Sequence, residues 1–224
     1  MDVYLDMTGT ITDMDSENFA LLKLAESIAK HFEMEHSPKE VMEKIEKYRK
    51  PFMDKRAVEY TPIRILVIDA VAHILNRKLN NEERNWIEKR YVDVHAQYVR
   101  LAEGAKEGLL KIREIANHMG IITDGDRPYT EALVESLNIE NLFDSITTAE
   151  DVGVGKPNPL IFKHAMMLGK SAKKVHVGDS ERRDVFGAKE AGMIAIKIGR
   201  ETKYGDYLAS NLKDAANIIA KIRP

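Results

Sequence analysis

Three polar residues each end a short apolar run: Asp6 after Val3-Tyr4-Leu5, Thr123 after Gly120-Ile121-Ile122, and Asp179 after Val175-His176-Val177-Gly178. Short apolar runs stopped by turn-forming residues read as buried strands that lead into loops. In an open parallel sheet, ligands bind beyond the carboxyl ends of the strands, so these three groups converge on one crevice. Asp184 follows Asp179 closely, and the joint purpose of two carboxylates beside a third is to hold a cation. Lys156 adds a compact positive charge, and its neighbours Gly155 and Pro157-Asn158-Pro159 give it a defined loop. One strand-end Asp or Thr is an ordinary turn residue. Three of them, with a lysine, describe one crevice with the oxygen set to hold a divalent cation.

Those groups need a frame. Leu21, Leu24, Ala25, Ile28 and Phe32 recur at helical spacing and predict an amphipathic helix over 17–32. Ser37-Pro38-Lys39-Glu40 is a helix start, with Ser37 as cap, Pro38 in the first position and Glu40 completing the box. Val41, Ile45 and Tyr48 then share a face. Thr61-Pro62 opens a third helix with Ile63, Val67, Ala70, Val71 and Ile74 inward. Asn80 and Glu83 cap a fourth that carries Trp86, Ile87, Tyr91, Val94 and Tyr98. No strand signal interrupts residues 14–100. Beyond them, helices over 106–117, 129–137, 159–168, 183–191 and 212–222 alternate with strands over 120–123, 145–148, 175–177 and 194–197. Such alternation implies right-handed βαβ units and a parallel sheet. The expected fold is a doubly wound α/β core built from residues 1–15 and 101–224. An all-helical insertion, residues 16–100, follows the first strand, with hinges at Asp13–Ser16 and Leu101–Gly104.

The 224 residues suffice for one compact domain with a large insertion. The net charge of −2, from 34 basic and 36 acidic residues, gives no electrostatic reason to expect nucleic acid or an anionic membrane as partner. Absence of cysteine excludes disulfides, thiolate nucleophiles and Cys-based metal sites. Neither a signal peptide nor a membrane span is visible, so the expected location is the cytoplasm. Oligomeric state is not readable from the sequence.

The segments Asp6-Met7-Thr8-Gly9-Thr10-Ile11-Thr12-Asp13, Ile121-Ile122-Thr123-Asp124-Gly125, Gly155-Lys156-Pro157 and Val177-Gly178-Asp179-Ser180-Glu181-Arg182-Arg183-Asp184 resemble the four ordered motifs of the haloacid-dehalogenase-like (HAD) superfamily. The resemblance covers roughly residues 1–15 and 101–222. It implies a Rossmann-like core, and the helical insertion resembles the superfamily's type-1 cap. It also implies a Mg²⁺-dependent hydrolase, a phosphatase acting on a small phosphorylated metabolite. By resemblance, Asp6 gives one oxygen to the metal and attacks phosphorus with the other, forming an aspartyl-phosphate. The Thr8 carbonyl and Asp179 are further metal ligands, and Asp184 is a ligand directly or through water. Thr123, with Asp124 and Gly125 after it, binds the phosphoryl oxygens, and Lys156 sets its ammonium against Asp6 and the phosphoryl group. The physics agrees. A phosphate ester is anionic, its charge must be neutralised before a carboxylate approaches, and Mg²⁺ prefers such an all-oxygen set.

Position 8 departs from the pattern. Most phosphatases of this superfamily carry an aspartate there that protonates the leaving oxygen and then activates water. Threonine does not titrate near neutral pH, and losing positioned proton transfer typically costs ~10²–10⁴-fold. Three readings stay open: a slow hydrolase, a soluble phosphotransferase or ATPase with a persistent phosphoenzyme, and different chemistry. The motif around Asp6 also resembles the phosphorylation loop of P-type ion pumps. Phosphonoacetaldehyde hydrolase also lacks the aspartate but needs a cap lysine, and none of Lys23, Lys30 and Lys55 sits in a signature. Metal-free dehalogenation leaves Asp179 and Asp184 without a purpose. A silent phospho-ligand-binding relative is a further alternative.

Weaker signals sit in the insertion. Arg49, Lys50, Lys55 and Arg56 surround Pro51-Phe52 and read as a solvated charged turn, with recognition of a distal substrate anion as the alternative. Tyr60 and Tyr98 read as packing residues, Trp86 as part of the insertion's core, Arg182 and Arg183 as surface groups, and His176 as a hydrogen-bonded core residue.

Overall fold

The computed structural model describes residues 1–223. Pro224, the last residue of the expected core, lies outside them. The sheet comprises β1 (Asp2–Leu5), β2 (His118–Thr123), β3 (Ser145–Thr148), β4 (Lys174–Gly178), β5 (Ile194–Ile198) and β6 (Tyr207–Ala209). All neighbours are parallel, in the order β3-β2-β1-β4-β5-β6. The chain winds outward from β1 to β3 and then returns to lay β4 on the other side of β1. β1 therefore ends where the strand order reverses, which is where a doubly wound sheet opens its ligand crevice.

The helices are α1 (Met14–His31), α2 (Pro38–Lys55), α3 (Ile63–Ile74), α4 (Asn81–Tyr98), α5 (Ala105–Ile115), α6 (Arg127–Ser136), α7 (Ala149–Val152), α8 (Pro159–Leu168), α9 (Gly187–Glu190) and α10 (Leu212–Ile222). Strand side chains alternate between faces. Val3, Leu5, Met119, Ile121, Val175 and Val177 join a cluster with Leu109 and Ile112 of α5 and Ile219 of α10. Tyr4, Ile122 and Ala195 join the opposite one, with Phe162 of α8 and Ala188 of α9. Helices thus cover both faces of the sheet.

The expected capping boxes are present at Ser37–Glu40 and Asn80–Glu83. Several features differ from the sequence reading, the short α7 among them. α2 runs through Pro51 to Lys55 where a turn was expected. Residues Glu181–Phe186 form a wide π turn that leads into α9, in place of one helix over 183–191. β6 was not anticipated, because only Ala209 of its three residues is buried and so no apolar pattern marks it.

Residues 14–98 leave and rejoin the sheet side by side. Thr12 pairs antiparallel with Leu101, the Asp13 N–H donates to the Arg100 carbonyl (2.9 Å), and the Arg100 N–H donates to Ser16 Oγ (3.0 Å). The expected hinge at Asp13–Ser16 is the start of α1, where Asp13 accepts from the Ser16 N–H. α1 packs against α2 and α4, and α4 packs against α6 beside the sheet. α3 begins at Pro62 with no side-chain cap of its own. Asp126, fully buried just before α6, supplies one: its carboxylate accepts from the N–H groups of Ile63 (2.7 Å) and Arg64 (2.8 Å) and from the Tyr60 hydroxyl. An anion at a helix N-terminus satisfies orphan donors and complements the dipole. Arg64 adds an ion pair to Glu150 at 2.7 Å.

Candidate active site

β1 and β4 are in register, with Leu5 opposite Val177, so Asp6 and Asp179 emerge next to each other. The Asp6 N–H still donates to the Val177 carbonyl (2.9 Å), which keeps the backbone extended up to the carboxylate. After Asp6 the chain turns tightly. The Ile11 and Thr12 N–H groups both donate to the Met7 carbonyl at 2.9 Å. Gly9 sits in this turn at φ 80°, and a Cβ there would lie 2.8 Å from Asp179 Oδ2. Glycine thereby lets the loop close on the second carboxylate. Asp184 folds back from the π turn over Gly178, where a Cβ would come within 2.3 Å of its Cγ.

The result is one cluster. Oxygens of Asp6, Asp179 and Asp184 lie within 4.8 Å of one another. Lys156 Nζ donates to Asp6 Oδ1 (2.5 Å), Asp184 Oδ1 (2.5 Å) and the Ile122 carbonyl (3.2 Å). His176 Nε2 lies 3.2 Å from Asp184 Oδ1. Burial, with the nearby charges of Asp184 and Asp179, pushes the Asp6 carboxyl up to about 8 against the pull of Lys156. Burial and Asp184 raise Asp179 likewise. Burial also opposes ionisation of Asp184, but Lys156 and His176 outweigh it and hold Asp184 well below the usual carboxylate range. One lysine does not balance three carboxylates.

Thr123, Asp124 and Gly125 lie beyond β2. The Gly125 N–H donates to Thr123 Oγ1 (3.1 Å), which leaves the hydroxyl proton of Thr123 free to be donated elsewhere. Asp124 Oδ1 accepts the Lys156 N–H (2.7 Å), so Asp124 positions the lysine loop. Asp6, Thr8, Thr123, Asp124, Gly125 and Asp179 line a single cavity of about 510 Å³, walled on the far side by α1, α2 and α4. Lys156 and Asp184 are buried behind Asp6.

The cavity also holds residues that the sequence reading missed. Glu17, buried on α1, accepts from the hydroxyls of Thr12 (2.6 Å) and Tyr129 (2.6 Å) and more loosely from Thr8 (3.4 Å). Burial raises its carboxyl against those hydrogen bonds. A signal existed: Glu17 stands on the same helical stripe as Leu21, Leu24 and Ile28, where an acid is out of place. His95 lines the wall with Nδ1 2.6 Å from the Tyr91 carbonyl, and burial pushes its imidazole down to about 4. The arginine-lysine cluster of the insertion splits. Lys50 and Lys55 are exposed as expected, whereas Arg49 and Arg56 line the cavity, with Arg56 buried. This corrects the reading of the whole cluster as a solvated turn. Arg183 also lines the cavity, with its side chain half exposed. Tyr60 serves Asp126, and Tyr98 packs edge-on against Phe19. Trp86 stacks on His31 at 3.7 Å. Lys23, Lys30 and Lys55 are not among the cavity residues.

A model of the haloacid dehalogenase-like hydrolases matches residues 3–198, nearly the whole α/β architecture with its insertion. The chain belongs to the haloacid dehalogenase-like hydrolase family. Among curated relatives, the glyceraldehyde 3-phosphate phosphatase of Methanocaldococcus jannaschii is 30% identical over 124 residues, covering 51% of this chain and 54% of that protein. The chain spans about half the length of the curated phosphatases it matches. Two solved HAD structures share the fold. The HAD phosphatase from Thermococcus onnurineus has TM-score 0.73 and 22% identity, over 100% of this chain and 99% of that one. The HAD-hydrolase YfnB from Bacillus subtilis, bound to magnesium, has TM-score 0.77 and 16% identity, over 98% of each chain.

The donor set fits the metal that this family implies. It is all oxygen, it carries excess negative charge, and Asp179 Oδ1 is buried without a hydrogen-bond partner among the described residues. Hard oxygen ligands of this kind suit Mg²⁺. No helix among the described residues is long and apolar enough to cross a membrane.

Proposed function

We propose that this protein is a Mg²⁺-dependent phosphatase that hydrolyses a small phosphorylated metabolite through an aspartyl-phosphate on Asp6. The observation that carries the reading is the meeting of Asp6, Asp179 and Asp184 within 4.8 Å, with Lys156 bonded to two of them. Held by Asp6, Asp179, Asp184 and the Thr8 carbonyl, Mg²⁺ would neutralise charge on the phosphoryl group. The Asp6 carboxylate, fixed through Oδ1 by Lys156, attacks phosphorus with its other oxygen; the ester P–O bond breaks, the alcohol leaves with a proton from solvent, and water then cleaves the aspartyl-phosphate to release phosphate. Thr123 donates its free hydroxyl proton to a phosphoryl oxygen, and Asp124 and Gly125 hold the loop that presents it. Positioning and electrostatics of this kind supply most of the acceleration in phosphoryl transfer. Residues 16–100 act as a cap that moves over the crevice, with residues 1–15 and 101–224 as the catalytic core.

Thr8 makes the second half-reaction slow, because its hydroxyl is turned toward Glu17 and it carries no titrating proton. The same observation favours a second reading, a phosphoenzyme that persists long enough to pass its phosphoryl group to an acceptor other than water. The test is hydrolysis of p-nitrophenyl phosphate and a panel of phosphorylated metabolites, glyceraldehyde 3-phosphate included, with and without Mg²⁺. Metal-dependent turnover, raised about tenfold or more by Thr8→Asp, is expected. An acid-stable phosphoprotein without turnover would select the persistent-intermediate reading. Neither turnover nor labelling would sink both.

A further inference from the structure

Most charged side chains of the cavity have charged or polar partners. Arg49 pairs with Glu46 (2.5 Å), Arg183 lies 3.7 Å from Asp124, and Glu17 is held by hydroxyls. Arg56 is 4% exposed and, among the described residues, has no carboxylate within 4.0 Å. Its Nη1 donates to the Asp124 carbonyl (2.8 Å), while Nε and Nη2 are buried with no partner at all. Those two nitrogens form the side-on fork of a guanidinium, the edge that grips a carboxylate through two parallel hydrogen bonds. Arg127 shows that use in this same molecule: its Nε and Nη2 hold the two oxygens of Asp151. A buried arginine whose fork is empty is costly unless an anion completes it.

The position of Arg56 is fixed independently of that fork. The Gly155 N–H donates to its carbonyl (2.7 Å), which ties the end of α2 to the loop of Lys156. Its guanidinium stands 5.3 Å from the Tyr60 ring, a flat wall beside a flat group. We infer that Arg56 is a specificity-determining residue that binds a carboxylate on the substrate, so that the preferred substrates are phosphorylated carboxylic acids. This rests on the phosphatase reading above and adds the class of its substrate. The substrate's acid group enters while the helices stand away from the strand ends and is enclosed when they dock. Neither nitrogen is open to water in this arrangement, so a carboxylate reaches the fork only while the helices stand away. The cavity, at about 510 Å³, is in the range for a small metabolite.

Two esters that differ at one carbon test this: 3-phosphoglycerate, with a carboxylate, and glycerol 3-phosphate, with a hydroxymethyl group. Both are titrated calorimetrically into the intact Asp6→Asn protein with Mg²⁺, which isolates binding from turnover, and both are assayed as substrates of the unmodified enzyme. The acid is expected to bind at least tenfold more tightly and to show the higher kcat/KM. Arg56→Met should bring the two affinities within about threefold of each other. Arg56→Lys, which keeps the charge and loses the fork, should retain part of the preference and serves if the methionine variant does not fold. Equal affinity for the two esters, or equal weakening of both by Arg56→Met, overturns the assignment while leaving the phosphatase reading intact if glycerol 3-phosphate is hydrolysed. Failure of both esters to bind or react overturns the two together.

Discussion

Two sets of buried carboxylates in this protein are solved in opposite ways. Asp126 is surrounded by donors: two backbone N–H groups at the start of α3, the Tyr60 hydroxyl, and the Arg64 guanidinium at 3.5 Å. The cluster at the ends of β1 and β4 is left short. Asp179 Oδ1 has no partner, Asp6 is raised to about 8, and one lysine serves two of the three acids. Completed polar groups hold structure, whereas incomplete ones are poised for something that arrives. Asp126 therefore reads as the fastening between the helices and the sheet, and the strand-end cluster as the working site.

The sharpest way to break that contrast is to neutralise one member of each set. Asp6→Asn should lower phosphatase turnover by about 10³-fold or more, since the proposed nucleophile is gone. It should leave the thermal midpoint unchanged or higher, because it relieves repulsion among like charges. A large loss of stability would mean that the cluster is structural after all. Asp126→Ala should do the reverse, costing about 3 kcal/mol in denaturant unfolding by leaving buried donors unanswered. An unfolding curve that matched the parent would remove Asp126 from its role as the fastening.

His95 extends the comparison to a buried base. Its folded value of about 4 lies below the ordinary 6.5, because burial penalises the charged ring. Above pH 6.5 both folded and unfolded forms are neutral and the group has no effect on stability. As pH falls from 6.5 toward 4 only the unfolded form takes the proton, so the group removes up to about 3 kcal/mol of stability over that window. His95→Gln should flatten that part of the profile, and an unchanged slope would show that His95 does not drive it. A smaller effect belongs to the metal. Magnesium should raise the unfolding free energy by about 1–3 kcal/mol at tens to a hundred times its dissociation constant. Asp179→Asn should remove most of that gain and Asp126→Asn none of it, as read by thermal melts with and without chelator.

Much of this was readable before any fold was known. The runs that end in Asp6, Thr123 and Asp179 are strands because they are apolar and short. The boxes at Ser37 and Asn80 are local, so capping chemistry marked them. What stayed hidden depends on distant neighbours. Asp126 carries no local signal of its role, and nothing nearby in sequence shows that α3 lacks a cap of its own. β6 is too exposed to carry an apolar pattern. Glu17 did leave a trace, an acid on an apolar stripe, but its partner Tyr129 lies more than a hundred residues away (|i−j| = 112).

The alternation of the buried strands with helices, the polar residues that stop the strands and the lack of thiol chemistry were determined by the sequence alone, because periodicity and turn formation act over a few residues. Only the tertiary structure decided which charges are left unpaired. Pairing depends on what lies within a few ångströms in space, and β1, placed between β2 and β4, brings together carboxylates that the chain keeps far apart. The same folding divided the arginines of the insertion, burying Arg56 with an empty fork while Lys50 and Lys55 stayed in water.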